Sequence, residues 1–258
     1  MRRMIRRPLL ALLAVVPFSA AGVAFADKAP DGTVRAVPNI AGRASTLVLD
    51  ASGSTAALKS DETPSKVTLA LTRGLAFDGR SVAGRCTDGQ ASGNSCPANS
   101  RAGRGSADFR VTNSTGVTVA SGRADIGMFL APRGAGDIGD VQVVVSAQGM
   151  TGSAHGKLVR VARGPFGSEL RFPFPMTKGL PMGFKVTVGH LTLSTGARRT
   201  VNVKVHRRGH RARTVRRTYT LIRNPSKCPS SHRWPVQLRA NYSSGEVVRD
   251  ADIVCKPR

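Results

Sequence analysis

Basic side chains dominate the residues that could do chemistry, and they are concentrated in one stretch of the chain. Nine Arg or Lys and no acid lie between residues 198 and 217: Arg198, Arg199, Lys204, Arg207, Arg208, Arg211, Arg213, Arg216 and Arg217. A surface of this kind attracts anionic polymers or lipid head groups through many weak, salt-screened contacts. The excess has a second explanation, because cations on edge strands also prevent unwanted strand pairing.

Familiar catalytic motifs do not occur in the sequence. Neither G-x-S-x-G, S-x-x-K nor H-E-x-x-H is found. The acids of the N-terminal half are the carboxylates that a hydrolase could use, among them Asp61 and Glu62 in a predicted turn and Asp137 and Asp140 in a Gly-rich loop. We therefore predict a protein without catalytic residues or a cofactor. The alternative is an extracellular hydrolase of an unrecognised kind that uses these carboxylates.

The two candidate metal sites are weak. His206 and His210 have the i, i+4 spacing of helical ligands, but Gly209 and the flanking strand patterns place them in a hairpin turn. Asp137 and Asp140 could supply oxygen ligands to calcium, yet two carboxylates are few for an ion that takes six to eight oxygens. The other histidines are scattered along the chain: His155, His190 and His232. We predict no metal site.

The N-terminus has the pattern of an export signal. An arginine-rich start precedes an apolar segment at 9–23, and Ala24-Phe25-Ala26 fits a cleavage site before Asp27. An uncleaved anchor is the alternative, although the apolar segment is shorter than the ~20 residues of a spanning helix. The mature protein is thus expected outside the cell or on its envelope, without a transmembrane segment. Export also removes nucleic acid as the expected partner.

Four cysteines follow the predicted signal: Cys86, Cys96, Cys228 and Cys255. An even number of cysteines in an exported chain predicts disulfides. Three pairings are possible, and Cys86–Cys96 with Cys228–Cys255 is favoured because each bond closes a short loop in its own half. A zinc site is the rival interpretation, but no C-x-x-C pair occurs, and Cys228 with His232 is too sparse for four ligands.

Apolar and polar residues alternate with a period of two along most of the chain, and a period of 3.6 residues is nearly absent. Twelve short strands are predicted between residues 46 and 255, separated by Gly, Pro, Asn and Ser clusters. This pattern predicts an all-β, immunoglobulin-like β-sandwich, either one large sandwich or two small ones in series. Within the cationic stretch, residues 201–206 alternate valine with polar residues, which predicts one buried and one exposed face.

The predicted organisation follows the charge distribution. A signal at 1–26 and a leader at 27–43 precede a sandwich region at 44–136, which includes Cys86 and Cys96. A basic sandwich region at 137–258 includes Cys228 and Cys255. The charge balance changes near the Gly-rich segment 134–140, because 22 basic residues face only four acids from Val141 onward. Subtracting the four arginines of the signal from the formal charge of +24 leaves +20 on the mature chain.

Two motifs carry a resemblance. Residues 96–107 read C-P-x-x-S-x-x-G-x-G-x-A, and residues 224–229 read N-P-x-x-C-P, followed by Trp234, Tyr242 and Cys255. The chain resembles a group of exported proteins from high-GC actinobacteria over about four-fifths of its mature length. That group has no assigned activity, so the resemblance implies export and disulfides and no catalytic residue. It also implies that Trp234 and Tyr242 pack around the second disulfide.

Together these features predict an exported, non-enzymatic β-sandwich protein of the cell envelope. Its cationic hairpin is the expected contact for anionic polymers or lipids. The sequence predicts neither a precise ligand nor an oligomeric state.

Overall fold

The computed structural model describes residues 31–52, 65–135, 137–147, 150–161, 164–173, 185–205 and 212–258. Within these ranges the chain forms fifteen β-strands and one short α-helix, α1 (Asp88–Ser92). The strands are β1 (Asp31–Val37), β2 (Ala44–Ser52), β3 (Lys66–Thr72), β4 (Ala76–Phe77), β5 (Arg101–Thr112), β6 (Thr118–Ala131), β7 (Gly139–Ala147), β8 (Met150–Arg160), β9 (Phe166–Pro173), β10 (Lys185–Thr195), β11 (Arg198–Val205), β12 (Arg213–Thr220), β13 (Ile222–Arg223), β14 (Arg233–Tyr242) and β15 (Gly245–Val254). The predicted all-β, sandwich-like class is confirmed. The immunoglobulin-like subtype stays a prediction.

One large antiparallel sheet contains every described strand except β11 and β12. Its order is β15-β14-β3-β9-β8-β7-β6-β5-β10-β2-β13-β4, and β1 also pairs with β2. The sheet turns back on itself, because Ile40, just after β1, lies in a parallel bridge with Lys256, just after β15. The Lys256 amide donates to the Asn39 carbonyl at 2.8 Å, and the Ala41 amide donates to the Lys256 carbonyl at 3.0 Å. The first and last described strands therefore meet in a seam.

Strands from the two predicted regions, 44–136 and 137–258, are interleaved in this sheet. β3 lies between β14 and β9, and the Gly-rich segment 134–140 joins β6 to β7, which are paired neighbours. Leu47 and Ile126 share the main apolar core with Val141 and Val236. Among the described residues, the two predicted regions therefore share one sheet and one apolar core.

The segment 27–43, predicted as a leader, contains β1. This strand pairs with β2 over seven residues, and its Val34 and Ala36 side chains are buried while Arg35 and Val37 are exposed. The leader assignment is therefore wrong from Asp31 onward. Gly32 and Pro38 at the ends of the strand resemble turn signals and obscured the short alternation between them. The predicted signal at 1–26 lies outside the described residues.

The disulfides join Cys86 to Cys96 and Cys228 to Cys255, with Cα atoms 5.1 and 5.9 Å apart. The favoured pairing is confirmed. Trp234 is 2% exposed, shares the core with Cys255 and donates from Nε1 to a backbone carbonyl at 3.1 Å. The expectation for Tyr242 is wrong, because this residue lies at the opposite end of the β14–β15 hairpin from Trp234, paired with Gly245.

The loop closed by the first disulfide carries α1 and covers part of the sheet. Thr87 and Gln90 form a capping box at the start of α1, in which each side chain accepts from the other residue's amide. Cys86 packs with Phe129 of β6 and Val144 of β7 in a second, smaller core. The loop is thereby fixed on β6–β8.

A buried ion-pair network lies on β9 and β14. Glu169 is 7% exposed and accepts hydrogen bonds from Arg171 at 2.7 and 2.9 Å, and it also pairs closely with Arg239. Burial alone would raise the pKa of Glu169, but the hydrogen bonds and charges of the two arginines outweigh it and lower the pKa. A carboxylate whose pKa is lowered on folding stabilises the folded state above its ordinary pKa and loses that contribution in acid.

We expect Glu169→Gln to lower the free energy of unfolding by about 2 kcal/mol at neutral pH, because both arginines then lose a buried charged partner. The deficit should shrink below about pH 4.5, the ordinary value for this carboxyl, as the wild-type carboxylate is protonated. Urea unfolding at several pH values measures both effects. Glu246→Gln, at an exposed position of β15, is the matched control and should change stability little. A deficit that stays constant down to strongly acidic pH would contradict the charge network.

Candidate polyanion-binding site

The cationic stretch forms a separate two-stranded ribbon. β11 and β12 pair with each other from Arg198 opposite Thr220 to Val205 opposite Arg213, and they form their own sheet. We call this hairpin the cationic ribbon (Arg198–Val205 and Arg213–Thr220). The turn between its strands, with His206, Arg207, Arg208, Gly209, His210 and Arg211, lies outside the described residues.

The base of the ribbon is fixed to the body by buried backbone contacts. Leu221, which follows β12, is completely buried and donates its amide to the Ala197 carbonyl at 2.8 Å. Its own carbonyl accepts from the Asp78 amide at 2.8 Å. Gly196 crosses β2 so closely that a Cβ there would lie 2.9 Å from the Cα of Thr46, so this position has no room for a side chain. The ribbon therefore leaves the body from a rigid base.

A charged and aromatic contact supports the same base. The guanidinium of Arg80 lies 4.5 Å from the ring centre of Tyr219, a cation–π geometry. Arg80 also forms two hydrogen bonds with the Asp78 carboxylate, both at 2.8 Å. The hydrogen bonds from Arg80 lower the pKa of Asp78, and the same pairing raises the pKa of Arg80. Because Asp78 is paired with Arg80, it is already engaged at the base of the ribbon.

The ribbon has two chemically different faces, because successive side chains on a strand point in opposite directions. The valine face contains four valines together with a tyrosine and three arginines: Val201, Val203, Val205, Val215, Tyr219, Arg199, Arg213 and Arg217. The threonine face contains hydroxyl and amide side chains together with three cations: Thr200, Thr214, Thr218, Thr220, Asn202, Arg198, Lys204 and Arg216. The hydroxyls of Thr200 and Thr218 are 3.0 Å apart across the ribbon.

The face of this hairpin that was predicted to be buried is only half-buried. Val201, Val203 and Val205 are half-buried, and the polar residues that alternate with them are exposed. Directly opposite Val201 and Val205 are Arg217 and Arg213, whose long side chains are exposed. The valines therefore form a half-buried apolar stripe with exposed arginines beside it.

The six described cations of the ribbon are all exposed: Arg198, Arg199, Lys204, Arg213, Arg216 and Arg217. None of them forms an ion pair with a carboxylate in the part of the chain that the structure describes. Like charges held along one ribbon without neutralising acids produce a strong positive potential. The residues that the sequence singled out for anion binding are thus brought together wherever they are described.

A second polar cluster lies beneath the disulfide loop. His155 of β8 contacts Asp88 of α1 through Nδ1 at 2.8 Å and Asp140 of β7 through Nε2 at 3.2 Å. Ionised carboxylates only accept hydrogen bonds, so both contacts are hydrogen bonds when the imidazole carries two protons. Gln142 is 1% exposed and donates to Asp88. No local motif predicts this cluster, because distant segments contribute its members.

Asp140 also lines a cleft of about 490 Å³ next to this cluster. The carboxylate is 3% exposed, and its Oδ2 accepts from the Gly134 amide at 3.0 Å. Its Oδ1 has no hydrogen-bond partner among the described residues. Asp137, Arg133 and Arg160 line the same cleft. Of the carboxylates named for the alternative hydrolase, Asp137 and Asp140 meet here, whereas Asp61 and Glu62 lie outside the described residues. The hydrolase stays a prediction.

Metal ligands do not converge in the described ranges, where no three His, Cys, Asp or Glu side chains form a group that could hold an ion. The described residues also include no helix long and apolar enough to cross a membrane. Comparisons of the chain with protein-family models, curated proteins and solved structures returned no match.

His155→Ala should lower the free energy of unfolding by about 2 kcal/mol, because the buried carboxylate of Asp140 would lose its contact with the imidazole. His190 provides the matched control: it contacts Asp50 at 2.7 Å, but both side chains are more than one-third exposed. His190→Ala should therefore cost no more than about 1 kcal/mol. Urea denaturation of both variants measures the difference, and equal losses would contradict a structural role for the cluster.

Proposed function

We propose that this chain is an exported, non-enzymatic binding protein of the cell envelope, and that its cationic ribbon binds phosphate-rich polyanions. The observation that carries the proposal is the set of exposed ribbon cations without a carboxylate partner among the described residues. Arg guanidinium groups form strong, charge-assisted hydrogen bonds with phosphate oxygens. The shared chemistry of the ligand is thus a dense array of phosphate groups, on a polymer or at a lipid surface.

The attachment of the ribbon to the body of the protein supports a binding role. An isolated two-stranded hairpin is marginally stable in water, yet this ribbon is held at its base by buried Leu221 and by the Arg80–Tyr219 contact. A fixed base lets the cations approach a ligand together, which reduces the entropy lost on binding. Export and two disulfides fit this location, because disulfides persist outside the reducing cytoplasm.

The first test removes charge from the ribbon. In the ribbon-neutral variant, Lys204, Arg213, Arg216 and Arg217 are each changed to Gln. We expect the affinity of this variant for immobilised inorganic polyphosphate at low salt to fall by roughly tenfold or more, because several phosphate contacts are lost together. Wild-type affinity should itself decline steeply as salt is raised, since exposed charges are screened. Binding isotherms at two salt concentrations measure both effects.

A body-neutral variant is the matched control. Lys157→Gln together with Arg35→Gln, Arg104→Gln and Arg110→Gln removes the same number of Arg and Lys from exposed positions of the sheet. Both variants have the same net charge, so a difference between them reports the location of binding. We expect the body-neutral variant to retain most of the wild-type affinity. Equal losses in the two variants would overturn the ribbon as the binding site.

Export is tested by mass spectrometry of the protein isolated from its producing cells. We expect the chain to begin at Asp27 and to carry no free thiol, so that its intact mass does not change with an alkylating agent until a reductant is added. Retention of residues 1–26 would contradict the processed form. Recovery of the protein in the cytoplasm alone would contradict export.

A further inference from the structure

We propose that the ribbon binds an anionic lipid bilayer, with its valine face turned toward the acyl chains and its threonine face toward water. This inference rests on the proposed function and names the source of the phosphates, a membrane surface rather than a free polymer. It is derived from the two faces of the ribbon, which differ in chemistry although each carries three cations.

The valine face has the composition of a surface that lies in a membrane interface. Val203 and Val215 are directly opposite each other at its centre, and both are half-buried. Arg213 and Arg217 lie opposite the flanking valines, where their long side chains can reach phosphates while their methylene groups cover apolar surface.

A free polyanion does not account for this apolar stripe. A hydrated polymer would contact the cations of both faces and would leave the valines exposed to water. A bilayer instead accepts the valines and attracts the arginines beside them, and membrane binding grows with both buried apolar area and charge. The charge of the ribbon and its apolar stripe are therefore complementary to one surface, an anionic lipid interface.

The open edges of the ribbon limit how deeply it can insert. β11 and β12 pair only with each other, so each has one edge of unpaired backbone groups in the described chain. Such groups are costly to bury in hydrocarbon. The ribbon therefore lies along the interface, where its eight-residue strands span roughly 26 Å. The threonine face and the backbone edges stay hydrated in this orientation.

The first experiment compares vesicles with a soluble polyanion. The protein is residues 27–258, the processed form, and the probes are phosphatidylcholine vesicles with or without phosphatidylglycerol and inorganic polyphosphate in solution. We expect Val203→Thr with Val215→Thr to lower affinity for the anionic vesicles roughly tenfold, because two apolar side chains lose their favourable transfer into lipid. Its affinity for polyphosphate should not change, because no charge is altered.

Val117→Thr with Val119→Thr is the matched control. These two valines are 59% and 51% exposed near the β5–β6 turn, away from the ribbon in sequence. This control should bind both probes like the wild type. If the valine-face variant binds anionic vesicles as tightly as the wild type, the lipid inference is overturned while the proposed function stands. If the ribbon-neutral variant binds polyphosphate like the wild type, the proposed function itself fails.

A second experiment tests the orientation directly and does not depend on a loss of binding. Tryptophan is introduced on one face or the other by Val203→Trp or Asn202→Trp, and its fluorescence is quenched with brominated lipids in the anionic vesicles. The native Trp234 is 2% exposed and gives the same background in both proteins. We expect the fluorescence of the introduced tryptophan to be quenched roughly twofold more, or more strongly still, in Val203→Trp than in Asn202→Trp. Equal quenching, or none in either protein, would overturn the proposed orientation.

Discussion

Asn224 is the residue on which the closure of the sheet depends. Its Nδ2 donates to the carbonyls of Pro38 and Ile40 at 2.9 and 3.0 Å, and its Oδ1 accepts from the Ser45 hydroxyl at 2.6 Å. Its backbone amide donates to the Arg43 carbonyl at 2.8 Å. The side chain is 2% exposed, so any lost bond would leave a buried polar group without a partner. One asparagine thus binds the segment between β1 and β2 to the segment that leads toward β14.

The short segment from Leu221 to Cys228 contributes both to the closure of the sheet and to the attachment of the ribbon to the body. It begins at Leu221 beneath the ribbon, continues through Asn224 and reaches Cys228, which is joined to Cys255 after β15. The Trp234 indole donates to the carbonyl of Lys227 in this segment. Ribbon, seam and second disulfide therefore share one rigid support.

Alternation in the sequence predicted most strands of the large sheet, because many of them bury one face, as β5 does. It missed β1 and overstated the burial of one face of the ribbon. β1 was missed because its short alternation lies between a glycine and a proline, and Val201, Val203 and Val205 of the ribbon alternate but are only half-buried. The cationic residues of the candidate site could be read from composition alone. The cluster of Asp88, Asp140 and His155 could not, because strand pairing and a disulfide loop bring its members together.

The distribution of carboxylates explains why the ribbon remains positive. In the body, Glu169 pairs with Arg171 and Arg239, and Asp78 pairs with Arg80. These acids neutralise cations that the fold needs for its own stability. Neither strand of the ribbon contains an acid, and the sequence has none between residues 198 and 220 that could do the same. Repulsion among the ribbon cations therefore persists in the free protein, and an anionic surface would relieve it on binding. Such relief adds to affinity without requiring a shape-matched pocket, which suits a ligand that is a surface and not a small molecule.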